Sequence, residues 1–398
     1  MKYGYLYEYY KDRNFAPTFA HFKDTDELSD YAAMRKNIFT EKLLLPPRVF
    51  NNCNVLEFGP DTGENALVFA QWGANMHLVE PNANVHEQIT AYFHHFSLND
   101  KLSGLYVGDV ESFKSDISYE MIIAEGFIYT IQPESKWLEP LSKLTSKDGF
   151  VITSYYEKHG GFLELCLKAL VSSYIRMTGE DPIAAAHSLF QAKWDSIPHT
   201  RTFESWANDV LFNPFVRLNY FIDAQDLLKS ALENDFSLYS SWPIYRQPIK
   251  PYWHKKSLAP QDILDLDCTH LKRSQLSFLL GDMAYMSGEL AEVERNNFLI
   301  AKALASIDDA IDPKENIQAL KTCASYLSEL AQIIDKETIL VETTNKRQDM
   351  KNLLTCLQDI LTTAAGDNPQ ILAQKCAQER LFIDAWGMPT HYAVLCKK

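Results

Sequence analysis

The chain has 398 residues, 46% of them hydrophobic and 23% charged, which fits a folded protein with core enough for two or three domains. Its formal net charge of −14 argues against nucleic acid as the main partner, because phosphate contacts need a basic surface. No apolar run reaches bilayer-spanning length, the opening MKYGYLYEYYKDRNF lacks the apolar stretch of a secretory signal, and seven scattered cysteines without a CxxC pair suit reduced thiols. These features lead us to expect a cytoplasmic protein with no membrane partner and, since no histidine shows ligand spacing with cysteine or acid, no metal site.

In chain order, residues 1–50 are rich in tyrosine and read as helix. Strand and helix patterns then alternate as in a parallel sheet. CNVLEF, NMHLVE, GLYVGDV, YEMIIAEGF and GFVITSYY read as strands, ENALVFAQWGA and SKWLEPLSKL as helices, and Gly73 falls where a helix would end. From about 160 to 232 the pattern is mostly helical. DFSLYSSWPIY reads as a further strand, and residues 250–385 read as helical throughout. Ile317, Leu320, Ala324, Leu327, Ala331 and Ile334 recur there at helical spacing. GMPTHYAVLCKK returns to strand chemistry at residues 386–398.

The stretch NVLEFGPDTGENALVFAQWGANMHLVEP carries the first chemical signal. A dinucleotide site needs three glycines in the pattern GxGxxG, for the turn, the pyrophosphate and the packing of helix on strand. Laid from Gly59, the second and third positions hold Asp61 and Glu64, whose carboxylates would repel a phosphate at the helix start. A cationic nucleoside without phosphate suits the turn better. S-adenosylmethionine is such a ligand, with Glu80, closing the second strand, placed to bind its ribose hydroxyls.

These residues resemble the class I S-adenosylmethionine-dependent methyltransferases, whose first motif is an acid followed by glycines. Glu57, Gly59 and Gly63 stand in register with it, and Asp61 replaces the middle glycine. LVEP supplies Glu80 and Pro81, GDVESF supplies Asp109 and Val110, and AEGFIY supplies Glu125 and Gly126. The resemblance covers about residues 39–156 and implies that these ten residues bind the cofactor. It also implies an α/β, Rossmann-like, seven-stranded, mostly parallel sheet flanked by helices, with a large all-α insertion before the last strand. The domains expected are a helical lid at 1–50, in which Tyr3 to Tyr10 would cover the cofactor or pack on the sheet, and a core at 51–249 carrying a substrate cap at about 160–232. An all-helical insertion at 250–385 and the final core strand at 386–398 complete the expected division.

In such a sheet the acceptor would meet the cofactor beyond the carboxyl ends of the fourth and fifth strands, where Tyr129, Tyr155, Tyr156 and His159 fall. The segment KWDSIPHTRTFESWANDVLFNPFVRLNYF is dense in groups suited to polar recognition: Lys193, His199, Arg201, Trp206, Asp209, Asn213 and Arg217. Tyr129, Tyr155, Tyr156, His199, Arg201 and Trp206 are the candidate acceptor contacts. His199 leads as general base because a neutral imidazole is available near neutral pH, followed by Tyr129 and Glu125. The function expected is methyl transfer to an oxygen or nitrogen of a small metabolite, natural product or sugar-type acceptor. The helical insertion would shape the pocket or join two copies of the chain as a homodimer. A protein or RNA methyltransferase gripping a macromolecule with that insertion, and a non-catalytic adaptor retaining the fold, are the alternatives.

Overall fold

The computed structural model describes residues 4–13, 22, 24–199, 201–246, 258–314 and 316–398. The chain divides into two compact units. One comprises Met1–Tyr155, Ala224–Cys268 and His391–Lys398, the other Tyr156–Asp223 and Thr269–Thr390.

The first unit is built on a seven-stranded sheet. Its strands are β1 (Asn54–Phe58), β2 (Asn75–Val79), β3 (Leu102–Tyr106), β4 (Tyr119–Glu125), β5 (Thr145–Tyr156) and β6 (Phe236–Trp242). After two short strands of the other unit, β7 (Ala284–Met286) and β8 (Ile339–Val341), the sheet is completed by β9 (Thr390–Lys397). The order is β3-β2-β1-β4-β5-β9-β6. β1 pairs in parallel with β2 and β4, β2 with β3, and β4 with β5, whereas β6 and β9 pair antiparallel, Phe236 opposite Lys397 and Trp242 opposite Tyr392. The sheet is thus the one the resemblance implies, and the final strand returns to it after the long insertion.

The central strands are buried on both faces, which is why they read as continuous apolar runs rather than alternating ones. Val55, Leu56, Ile122, Ala124 and Val394 have no exposed surface. Helix α1 (Leu6–Asp12) and helix α2 (Thr25–Asn37) precede the sheet, and α3 (Glu64–Gln71) and α4 (His86–His95) follow β1 and β2. Asp24 starts α2 by accepting the backbone N–H groups of Asp26 and Glu27, both at 3.0 Å. Gly73, at φ +98°, ends the α3 segment, as its position in the sequence implied. The rings of Phe39, Phe50, Phe69 and Trp72 interlock at centroid distances of 5.2 to 5.6 Å and fasten the helix after α2 to α3.

The second unit is a helical body with its own core. Helices Pro182–Trp194, Leu290–Asp309, Asn316–Ile334, Thr344–Ala364 and Pro369–Gln378 bury one face each, whereas Phe162–Thr178 is buried on nearly all sides from Phe162 to Val171. In Asn316–Ile334 the stripe is Leu320, Cys323, Ala324, Leu327, Leu330 and Ile334, whereas Ile317 is exposed. β7 and β8 pair antiparallel and interrupt what the sequence pattern gave as an all-helical block. Three residues each of AYM and ILV carry too short a pattern to register as strands. Arg273 and Arg347 donate to the carbonyls around them, Arg273 to Gly288 at 2.8 Å and Arg347 to Ile339 at 2.6 Å. The boundary near residue 250 lies outside the described residues. Among the described residues no helix is long and apolar enough to cross a membrane.

Candidate functional site

The first unit holds a cavity of about 190 Å³ at the carboxyl ends of β1, β2 and β4. Its floor is the turn after β1. Gly59 takes φ +63°, which strains any other residue, and a Cβ there would press on the Phe127 ring at 3.1 Å, so the position favours glycine. Asp61, at φ +52°, takes a left-handed conformation that favours glycine and that aspartate tolerates better than most residues. Gly63, at φ +96°, begins α3.

The acid after β2 is fixed by backbone donors. Glu80 Oε1 accepts the Asn82 N–H at 2.8 Å and Oε2 accepts the Asp61 N–H at 3.3 Å. Burial pushes the Glu80 carboxyl up to about 7, partly offset by the Asn82 N–H and reinforced by the nearby Asp61 charge. Asp109 turns one oxygen onto Ser112, accepting its N–H at 2.8 Å and its hydroxyl at 2.7 Å. Gly126, at φ +79°, faces open space: no atom lies within 4 Å of where a Cβ would be.

Gly59, Asp61, Glu80, Pro81, Asp109, Val110, Glu125 and Gly126 all line this cavity. Glu57 and Gly63 are not in the lining. Glu57 is buried beside it with Oε2 unbonded, and its carboxyl is pushed up to about 8 by burial, then by the charge of Glu125, against the opposing pull of Arg35. The described lining holds five carboxylates, those of Asp61, Glu80, Asp109, Glu111 and Glu125, and no lysine, arginine or histidine. Such a wall suits a cation and repels phosphate.

Tyr5, Leu6, Tyr7 and Tyr10 of the N-terminal segment line the same cavity, with Tyr5 and Tyr7 stacked at 5.8 Å. Tyr3, the other end of the expected lid, lies outside the described residues. Phe127, Asn82, Thr130 and Ile131 also line it, none of them singled out from the sequence although Phe127 stands within AEGFIY. Arg35 escaped the sequence reading as well. It binds both oxygens of Glu125, each at 2.9 Å, which leaves that carboxylate engaged.

The acceptor candidates are distributed otherwise. Tyr129 is buried in the turn Ile128–Thr130 and is not in the cavity lining. Tyr155 is buried and shares a hydrogen bond of 2.7 Å with Tyr245, whose hydroxyl meets His391 Nδ1 at 2.7 Å. Tyr156 stacks on Phe221 at 5.2 Å in the helical unit. His199 is exposed there, its ring 4.6 Å from Trp194 and its Nδ1 3.2 Å from the Ile197 carbonyl. Arg201 pairs with Asp209 at 2.8 Å, and Arg217 with Asp308 at the same distance. Trp206 is buried among Trp194, Phe203 and Trp386. Lys193 points its ammonium at the carbonyls of Phe382 and Ile383, and Lys168 at that of Asn213. Most of the polar groups in this segment therefore close contacts within their own unit. Sequence spacing cannot separate such internal partners from ligand contacts.

Comparison with known proteins gives a profile match over residues 29–241 to the family described as a methyltransferase domain. No curated protein matches the chain. Among solved structures it is similar to PKMT2 from Rickettsia typhi, at 16% identity over 56% of this chain and 46% of that one, with a TM-score of 0.42. It is also similar to the magnesium protoporphyrin IX methyltransferase ChlM from Synechocystis PCC 6803 with bound SAM, at 10% identity over 59% and 86% of the two chains, with a TM-score of 0.34. The chain thus spans about half the length of the Rickettsia protein.

Proposed function

We propose that the chain, which belongs to the methyltransferase-domain family, is an S-adenosylmethionine-dependent methyltransferase that methylates an oxygen or nitrogen of a small metabolite, natural product or sugar-type acceptor. The observation that carries the site assignment is the acidic, cation-free lining of the cavity over the Gly59 turn. The residues present fit the cofactor. Gly126 leaves the backbone open to it, Gly59 lets the Phe127 ring close against the turn, the Glu80 carboxylate is an acceptor for two ribose hydroxyls, and Asp61 and Glu125 offer negative charge to its ammonium and sulfonium.

When bound, S-adenosylmethionine supplies an electrophilic methyl group open to in-line displacement. The chain's own work is to hold and align. In this reading Asp109 and Val110 border the adenine, while Tyr5, Tyr7 and Tyr10 cover the cavity and exclude water. Glu125, with both oxygens on Arg35, serves as a fixed charge more readily than as a base. Proton removal from the acceptor is assigned to His199, with Tyr129 as the alternative, and Arg201 to acceptor binding. The helical unit is assigned to acceptor recognition or to pairing of two copies. The net charge of −14 favours a small acceptor over RNA.

Calorimetry with S-adenosylmethionine and S-adenosylhomocysteine tests the cofactor site. Labelled methyl transfer to a panel of small hydroxyl and amino acceptors tests the acceptor class. Incorporation confined to protein or RNA would replace the small-acceptor reading.

A further inference from the structure

Arg35 lies in α2, away from every motif that marks the cofactor site, yet its guanidinium stands behind the cavity wall and holds Glu125, which lines it. Nη1 donates to Glu125 Oε2 and Nη2 to Oε1, both at 2.9 Å, in a two-pronged pair whose side chains are only 7% and 11% exposed. The guanidinium carbon sits 4.9 Å from the Phe39 ring centre and 5.5 Å from that of Phe69. Those rings belong to the interlocked aromatic cluster, so the cation has little freedom to turn away. Tyr31, one helical turn earlier, donates its hydroxyl to Asn65 Oδ1 at 2.8 Å and pins the same helix to the first turn of α3.

The charges around the pair are unequal. Glu57 on β1 feels Glu125 on β4, Glu64 on α3 and Glu80 after β2, with Arg35 as the one opposing cation. A buried ion pair is weak evidence for stability alone, because packed apolar residues of similar volume often serve as well. Here one partner of the pair also lines the cavity that suits a cationic ligand. We propose that Arg35 is a positioning residue for cofactor binding, holding Glu125 at the cavity wall in one orientation; the proposal rests on the reading of this cavity as the cofactor site. The fork of the guanidinium is what matters, since a lysine supplies a charge but cannot hold both oxygens in the same plane.

The test measures the Kd of S-adenosylhomocysteine for wild type, R35M, R35K, E125Q and the double variant R35M/E125Q, with thermal unfolding of each ligand-free protein. Folded R35M and E125Q are each expected to bind about tenfold more weakly or worse. R35K should recover part of the R35M loss, and the double variant should bind no more weakly than E125Q, because both substitutions break one unit. Folded R35M or E125Q binding within about twofold of wild type, or losses that multiply in the double variant, would overturn the proposal. Should R35M not fold, R35K and E125Q decide, and full wild-type affinity in R35K overturns it. A wild type that binds neither S-adenosylhomocysteine nor S-adenosylmethionine overturns the cofactor reading itself, a result separable from any pattern among the variants.

Discussion

Asp61 donates its backbone N–H to Glu80 Oε2 at 3.3 Å, and this bond ties the turn after β1 directly to the acid after β2. The departure from the glycine pattern at position 61 is accommodated by the left-handed backbone of that aspartate. Two elements far apart in sequence become one wall of the cavity.

Gly59→Val should damage both fold and site. The residue holds φ +63°, and a Cβ would press on the Phe127 ring at 3.1 Å. The cost expected is roughly 1–3 kcal/mol of stability from the strained backbone, with further loss of cofactor affinity as Phe127 is displaced. Chemical denaturation and calorimetry on the same variant check this. Unchanged values in both would show that the turn does not need glycine.

Glu57→Gln should flatten the pH dependence of stability. Burial, and then Glu125, lift the Glu57 carboxyl from 4.5 to about 8 in the folded chain. The folded state therefore holds its proton more tightly than the unfolded state. The stability from this group is fully present below the unfolded value of 4.5 and is lost as pH rises through about 8. The slope in that window is at most about 1.4 kcal/mol per pH unit. Urea unfolding of the ligand-free protein across the window should show a shallower decline in the Gln variant, and an identical slope would remove Glu57 as its source.

His199→Ala and Arg201→Ala separate acceptor chemistry from packing. If His199 is the base, its removal should leave cofactor affinity intact and lower the rate by ~10²–10⁴. Arg201→Ala should act mainly on acceptor affinity. Normal kinetics in both variants would reduce the segment to a structural one, in keeping with the Arg201–Asp209 pair and the exposed His199 ring.

The fold was legible because buried parallel strands write themselves as apolar runs and turns as glycine and acid. Glu57 came only from the family resemblance and lies outside the cavity lining, whereas Gly59 and Glu80 could be placed from the pattern of strand, glycine turn, helix and acid-ended strand. Arg35 could not, because its partnership with Glu125 spans 90 residues and leaves no periodic trace. Phe127 was hidden for the same reason: its role depends on a glycine brought to it by the sheet. The segment from Lys193 to Arg217 shows the converse. Its density of polar groups suggested recognition, yet Lys193, Arg201 and Arg217 satisfy carbonyls and carboxylates of the helical unit. Sequence reports which side chains can bond, and only the fold reports with what.

The central claim is that Glu80 and the Gly59 turn hold the cofactor, and it is tested most directly by calorimetric titration of S-adenosylmethionine into wild type and Glu80→Ala over a range of pH. Burial holds the Glu80 carboxyl near 7, so below that value it is increasingly neutral and loses its strength as an acceptor. Wild type should bind one equivalent, with affinity falling as pH drops through about 7. Glu80→Ala should bind more weakly by about 1–3 kcal/mol and lose most of that pH dependence. No binding by wild type, or equal affinity and equal pH dependence in the two folded proteins, would contradict the account.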